Sequence, residues 1–294
     1  FTVTRLARSD ADFVWEQQLD LPALVDVARA LGAEGIGPSP SAIDDALAQD
    51  PLGLGVTLGE VVAGLDTTIG VIATIDDARI LRIPGDSTWF PFTEFLFQID
   101  GMGKVADALA RRAAFDPFIQ AEESAQWLTI RPAIRLPPPW NAYRPALYKD
   151  VATGRVYLVS TPEYLEKCLA DGTSVVESDD YRQAFDGLPR VGNGMMFMSR
   201  QLTRELHGIL DRRINEEGAS VGTAIARFVL PSAGSPVGWA AVSRNDGWLF
   251  TSNSPSSHKA TFVSLGYAAL LPAILVLGAS GSTPRASTPP ELPF

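Results

Sequence analysis

The chain has 294 residues and a net charge of −10 at pH 7, with 46% hydrophobic and 20% charged residues. This length predicts two domains or one large domain, and the hydrophobic content excludes a chain that is disordered throughout. The acidic balance disfavours nucleic-acid binding, which needs a basic face, and provides no general attraction to anionic lipid.

The first elements predicted along the chain are a short strand and a helix. Residues 14–19 have the composition of a strand. Asp20 is a favourable N-cap, and Pro22 fits the first turn of a helix that ends near Gly32. The apolar side of this helix is predicted from residues at helical spacing, namely Leu24, Val25, Ala28 and Leu31.

Two further helices and a hairpin are predicted next. Thr57 and Glu60 have the spacing of a capping box. Two β-branched runs flank Asp76-Asp77, which predicts a hairpin that turns at this pair. The predicted helices are 42–49 and 58–65, and the predicted hairpin strands are 68–75 and 79–83.

A strand followed by a helix then recurs. The predicted strand is 92–99, and Asp100 is the predicted cap of a helix that continues to about residue 114. This stretch aligns with the beginning of the chain as a weak repeat of roughly 80 residues. Because the alignment is short and rich in alanine, duplication and chance both remain open. The aligned pairs are Gln18 with Gln98, Asp20 with Asp100, Val25 with Val105, Ala28 with Ala108 and Ala30 with Ala110.

The second half of the chain repeats hairpins and helices. Thr161-Pro162 opens a predicted helix, and Ser178 caps another. An amphipathic helix is predicted at 201–216, followed by a flexible link. The other predicted elements are the hairpin 146–149 with 155–160, the strand 195–199, and the hairpin 239–243 with 248–252 around Asn245-Asp246-Gly247.

Residues 260–279 form an uncharged apolar stretch. About 20 apolar residues suffice for a helix to cross a bilayer, so a membrane anchor is predicted. A buried C-terminal helix, an interfacial segment and a cleaved sorting tail are the alternatives. The anchor residues are Phe262, Leu265, Leu270, Leu271, Pro272, Ile274, Leu275 and Leu277. The predicted division of the chain is 1–130 and 131–254 as two α+β modules, 255–279 as the apolar helix and 280–294 as a disordered tail.

No pattern in the sequence predicts catalysis, a cofactor or a metal site. The chain has only two histidines, and His207 with Asp211 supplies two ligands, too few for a metal site. Neighbouring acidic residues favour caps, turns and solvated faces over acid–base pairs. Cys168 lies between apolar neighbours, which predicts a buried thiol. Were the protein an enzyme, Glu205, His207 and Asp211 would be the first residues to replace.

Two aromatic groups are candidate contact surfaces, because aromatic side chains anchor many protein interfaces. The first is Trp89 with Phe90, Phe92, Phe95 and Phe97, for which core packing is the alternative. The second is Trp140 with Tyr143, next to a run of three prolines. For this second group, partner contact and internal packing are both open.

The hairpin of residues 146–160, the Thr161-Pro162 helix start and the Ser178 to Tyr181 helix before Leu188-Pro189 resemble a known family. They are similar to DUF3352-type bacterial envelope proteins of unknown function. The resemblance covers about residues 92–254 and implies repeated α+β modules in an exported, membrane-associated protein. It implies no catalytic residue, since none is established for that group.

The sequence therefore predicts an α+β fold of repeated strand–helix–hairpin units that form an antiparallel sheet with helices on one face. The predicted function is that of a non-catalytic, membrane-anchored cell-envelope protein, a scaffold or accessory subunit of a larger assembly. The chain begins at Phe1, so either a leader has been removed or the N-terminus lies outside this sequence. A removed leader together with the anchor predicts a bacterial inner-membrane protein with its domain in the periplasm. Its predicted partners are the membrane and other protein subunits, without nucleic acid or metal. The alternative is a soluble periplasmic module that binds a small ligand or peptide.

Overall fold

The computed structural model describes residues 1–82 and 89–254. These residues form one antiparallel sheet in the order β10-β9-β8-β1-β2-β3-β7-β6-β5-β4. The strands are β1 (Phe13–Asp20), β2 (Asp66–Arg82), β3 (Trp89–Ile99), β4 (Ile119–Glu123), β5 (Trp127–Pro132), β6 (Ala146–Asp150), β7 (Val156–Val159), β8 (Gly194–Met198), β9 (Val237–Arg244) and β10 (Gly247–Asn253).

Helices connect the strands and cover parts of both faces of the sheet. The longest insertion lies between the paired strands β1 and β2, where three helices follow one another. We call these helices, with their loops, the helical excursion (residues 21–65). The helices are α1 (Leu21–Ala33), α2 (Pro40–Leu47), α3 (Leu58–Gly64), α4 (Gly103–Ala113), α5 (Pro162–Leu169), α6 (Asp179–Ala184), α7 (Arg200–Glu217) and α8 (Val221–Val229).

The α+β class and the antiparallel sheet agree with the prediction. The two predicted modules, however, share this one sheet. Strands β1, β2 and β3 of the first module lie between β8 and β7 of the second, with which β1 and β3 pair. The predicted boundary at 130/131 lies inside β5.

Most predicted helix starts are confirmed, because their caps form within one turn. The Asp20 carboxylate accepts the backbone N–H of Ala23 at 2.8 Å. Thr57 and Glu60 form the predicted capping box. Thr161 and Ser178 cap α5 and α6 through their side-chain oxygens. Each cap satisfies a backbone donor that the helix itself leaves unpaired.

The hairpin predicted at Asp76-Asp77 is wrong. The chain continues through this pair as β2 and remains paired with β3 on both sides of it. The register shifts between Asp76 and Ile80, which marks a bulge where residues of β2 have no direct partner. A polar pair with low strand propensity therefore marks an irregularity within the strand instead of a turn.

Asp100 does not cap the helix that follows it. The helix α4 begins at Gly103 with Met102 as N-cap, and the Asp100 carboxylate accepts the Arg155 guanidinium at 2.7 Å instead. Asp20 and Asp100, which the sequence alignment equates, thus have different roles.

The main core lies on one face of the sheet, beneath α5 and α6. Alternate strand residues point to this face, among them Val14, Ile72 and Leu96, which are fully buried. The aromatic side chains packed with them are Tyr157, Tyr164, Tyr181, Phe185 and Phe197.

The prediction that helices cover one face is wrong, since α4 packs on the other. The helix residues Ala106 and Leu109 contact Leu128, Ile130 and Val156 in a separate apolar cluster. Val156 precedes Tyr157 of the main core, and successive strand side chains point to opposite faces.

Two further segments differ from the prediction, and a third lies outside the described residues. Residues 119–132, to which no element was assigned, form β4 and β5. The segment predicted as a flexible link contains α8, which Ser220 and Thr223 cap. The predicted anchor residues Phe262–Leu277 and the tail 280–294 lie outside the described residues.

Candidate contact surface and other sites

The structure joins part of the first predicted aromatic group to the second. Tyr143 stacks on Phe92 with ring centroids 4.7 Å apart, and Trp140 stacks on Tyr143 at 6.3 Å. On the other side of Phe92, the guanidinium of Arg79 lies 3.8 Å from the ring centroid. Trp140 remains 41% exposed at the outer end of this aromatic row.

Trp89 belongs to a different contact. Its ring lies 3.8 Å from the guanidinium of Arg212 on α7. Trp89 and Phe90 are consecutive in β3, so their side chains point to opposite faces of the sheet. The structure therefore brings Trp140 and Tyr143 together but does not join them with Trp89 in a single surface.

The residues proposed first for an enzyme make structural contacts. His207 Nε2 donates to the carbonyl oxygen of Pro231 at 2.6 Å, which ties α7 to the segment after α8. Asp211 pairs with Arg227 at 3.2 Å across the same two helices. Glu205 lies on α7 as a half-buried residue. In the part of the chain that the structure describes, no group of three or more His, Cys, Asp or Glu is placed to hold a metal ion.

Cys168 is buried, as predicted, at 1% exposure. Loss of water around the thiolate raises the pKa of Cys168 to about 12. The group is therefore a thiol at neutral pH. Burial also raises the pKa of Tyr164, whose hydroxyl lies 2.8 Å from the hydroxyl of Thr74.

Asp12 is a buried carboxyl group that sequence reasoning missed. It is 4% exposed and accepts the hydroxyl of Ser199 and the backbone N–H of Ile75, the latter at 2.8 Å. It thereby joins the start of β1 to β2 and to the N-terminus of α7. Burial raises the pKa of Asp12 above 3.8, while the two hydrogen bonds partly oppose this shift.

This raised pKa predicts a pH-dependent stability. The folded state holds the Asp12 proton more tightly than the unfolded chain, so its contribution is full below pH 3.8 and is lost as the pH rises through the folded pKa. We expect the free energy of unfolding of Asp12→Asn, relative to wild type, to increase as the pH is raised from below 3.8 towards neutrality. Urea unfolding at a series of pH values measures this difference.

The matched control is Asp179→Asn, since the Asp179 side chain is 96% exposed. It removes one carboxylate from the surface and so reports the effect of the change in net charge alone. Hydrogen bonds lost in Asp12→Asn add a pH-independent offset, so the slope is the readout. A flat or falling difference for Asp12→Asn would contradict the assignment.

Helix α1 exposes a group of apolar side chains. This 13-residue helix contains only two charged residues, Asp26 and Arg29, and buries none of its residues. Leu24, Val27 and Leu31 are 50%, 55% and 44% exposed. They are spaced three and four residues apart and thus lie on one side of the helix. We call these three residues the α1 stripe.

The side of α1 that adjoins the stripe packs within the helical excursion. Val25 and Ala28 are half-buried there, whereas Leu24 and Leu31, which were predicted on the same side, are exposed. Arg29 pairs with Asp26 at 2.9 Å and with Asp44 of α2 at 2.8 Å. A helix that is apolar on both sides usually has both sides buried. That pattern in residues 21–33 was the signal that could have identified the stripe from sequence.

The strand directions place α1 far from the point where the described chain ends. Residue Asp20, at the C-terminal end of β1, leads into α1. Four paired residues form one row across the neighbouring strands β10, β9, β8 and β1. In order, they are Asn253, Gly238, Phe197 and Val14, and Val14 lies near the start of β1. The distance along β1 from Val14 to Asp20 is about 20 Å. The chain therefore leaves β10 at the end of the sheet opposite to α1.

Comparison of the chain with protein-family models, with curated proteins and with solved structures gives no match. Within residues 1–82 and 89–254, no helix combines the length and hydropathy that crossing a membrane requires.

Proposed function

We propose that this protein is a non-catalytic, membrane-anchored protein of the bacterial cell envelope. It acts as a scaffold or accessory subunit of a larger membrane assembly, and the α1 stripe is its docking surface for another subunit. The observation that carries this proposal is the exposure of Leu24, Val27 and Leu31 on a helix without buried residues. Grouped exposed apolar side chains favour protein association, because burying them removes apolar area from water.

The position of the stripe supports an anchored scaffold. The apolar stretch 260–279 follows soon after β10, which ends at Asn253. With that stretch in the inner membrane and the domain in the periplasm, α1 would begin at the end of β1 remote from the point where the described chain leaves β10. A surface in that place is accessible to another protein.

Membrane fractionation tests the anchor. We expect the full chain to remain in the membrane pellet after an alkaline carbonate wash. The double substitution Leu270→Arg with Ile274→Arg should release it, since each central arginine costs about 2.5–3.5 kcal/mol in a membrane helix. Immunoblots of pellet and supernatant measure the distribution.

The control carries the same two added charges elsewhere. Val191 and Val221 are 77% and 78% exposed, so Val191→Arg with Val221→Arg should leave the protein in the pellet. Wild-type protein that washes into the supernatant would contradict the anchor. The second candidate, a soluble periplasmic module that binds a small ligand or peptide, would then be favoured. The stacked row of Trp140, Tyr143 and Phe92, open at Trp140, is the observation that supports that alternative.

A further inference from the structure

We propose that the α1 stripe binds a basic amphipathic helix of a partner protein. This inference rests on the proposed function because it uses the same docking surface. It adds the chemical character of the partner that binds there. The partner helix would place its apolar side on Leu24, Val27 and Leu31 and its lysine or arginine side chains around them.

Charge complementarity supports a basic partner. The helical excursion has six acidic residues and one basic residue, a net charge of −5. Its single basic residue, Arg29, is already paired with Asp26 and Asp44. The acidic residues are Asp26, Glu34, Asp44, Asp45, Asp50 and Glu60.

One of these carboxylates lies close to the stripe. Glu34 lies three residues beyond Leu31, so it continues the direction of the stripe at the C-terminal end of α1, and it is exposed. Opposite charges around an apolar contact raise the association rate and exclude partners of like charge.

The same charges disfavour the other occupants. A second copy would bring two acidic excursions together, and like charges opposed at an interface are destabilising. Anionic lipid is repelled for the same reason. The described chain ends just after β10, and β10 ends level with Val14, at the end of β1 remote from α1.

The geometry of α1 suits a helix as the partner. The stripe follows one side of a 13-residue helix, which is about 20 Å long. Exposed Ala23 and Ala30 adjoin the stripe, and small residues let two helix axes approach closely. Apolar residues at spacings of three and four on a partner helix would interdigitate with this side.

Peptide titration tests the proposal with the full chain in phosphatidylcholine nanodiscs. The probe is a synthetic amphipathic helix of leucine and lysine, about 18 residues long. One control peptide has glutamate in place of every lysine, and another has the same composition with the leucines scrambled. Fluorescence anisotropy of the labelled peptide gives the dissociation constant.

Matched variants locate the binding site. We expect Val27→Asp with Leu31→Asp to weaken binding of the lysine peptide by about ten-fold or more. The control Val221→Asp replaces an exposed valine of α8 and should leave the dissociation constant unchanged. Glu34→Gln should reduce the salt dependence of binding, whereas Asp179→Asn should not.

Several results would overturn the proposal. One is that the glutamate peptide or the scrambled peptide binds as tightly as the lysine peptide. Another is that Val221→Asp weakens binding of the lysine peptide as much as Val27→Asp with Leu31→Asp does. A dimer in analytical ultracentrifugation that Val27→Asp dissociates would assign the stripe to a second copy. Binding to peptide-free phosphatidylcholine vesicles that the stripe variant abolishes would assign it to lipid.

A labelling experiment tests whether another segment of the same chain covers the α1 stripe. Val27→Cys in the monomeric full chain should react with a maleimide as fast as Val221→Cys, because Cys168 is buried and both valines are exposed. Strong protection at position 27 would mean that the chain itself covers the stripe. If carbonate releases the protein but the lysine peptide binds tightly, only the membrane anchor is contradicted. If the protein stays in the membrane but does not bind the peptide, only this inference is contradicted.

Discussion

Replacing Phe185 with alanine should destabilise the protein by about 3–5 kcal/mol. Phe185 is 1% exposed and stacks on Tyr181, with ring centroids 4.4 Å apart and planes inclined by 6°. Tyr181 in turn contacts Phe197 of β8 at 5.4 Å. The substitution removes the ring from the main core and leaves a cavity between α6 and the sheet. Urea unfolding should show a lower midpoint with an unchanged slope.

Phe115 provides the matched control for this prediction. It is 91% exposed, so Phe115→Ala removes the same atoms without creating a buried cavity. We expect its free energy of unfolding to remain within about 0.5 kcal/mol of wild type. A similar loss in both variants would mean that Phe185 does not contribute through core packing.

Replacing Gly101 with alanine should destabilise the junction between the helical excursion and the sheet by about 2–4 kcal/mol. Gly101 has φ +83°, which is unfavourable for a residue with a Cβ atom. A Cβ atom at this position would also lie 1.6 Å from the carbonyl oxygen of Gly64 at the end of α3. That contact is impossible, so either α3 or the turn after β3 must move.

Gly154→Ala separates the two causes of this loss. Gly154 has φ +72°, but no atom lies within 4 Å of a Cβ added there. We expect it to cost only the backbone strain, about 1–2 kcal/mol. Thermal unfolding measures both variants, and limited proteolysis of the excursion should increase for Gly101→Ala alone. Equal losses for the two would show that the close approach of Gly64 has no energetic role.

Local signals predicted the beginnings of elements with good accuracy. Asp20, Thr161 and Ser178 cap helices through atoms of the next three residues, so their roles depend on nearby sequence alone. The turn at Asn245-Asp246 likewise depends on local backbone preferences, with Gly247 at φ +132°.

Signals that need a distant partner were misinterpreted. Asp76-Asp77 has the composition of a turn, but pairing with β3 keeps the chain extended through it. Asp100 has the position of a cap, but Arg155, 55 residues away, binds its carboxylate. The carboxyl of Asp12 meets Ser199, 187 residues away, so nothing near Asp12 in the sequence indicates that it is buried.

The sequence by itself determined the acidic charge, the helix caps, the antiparallel α+β class and the apolar character of both α1 and residues 260–279. Only the tertiary structure decided the strand order, the burial of Asp12 and the exposure of Leu24, Val27 and Leu31. The physical reason is that capping and propensity act over a few residues, whereas burial depends on which distant segments pack together. A helix that is apolar on both sides has two surfaces that favour burial, and the fold determines which of them the chain itself covers.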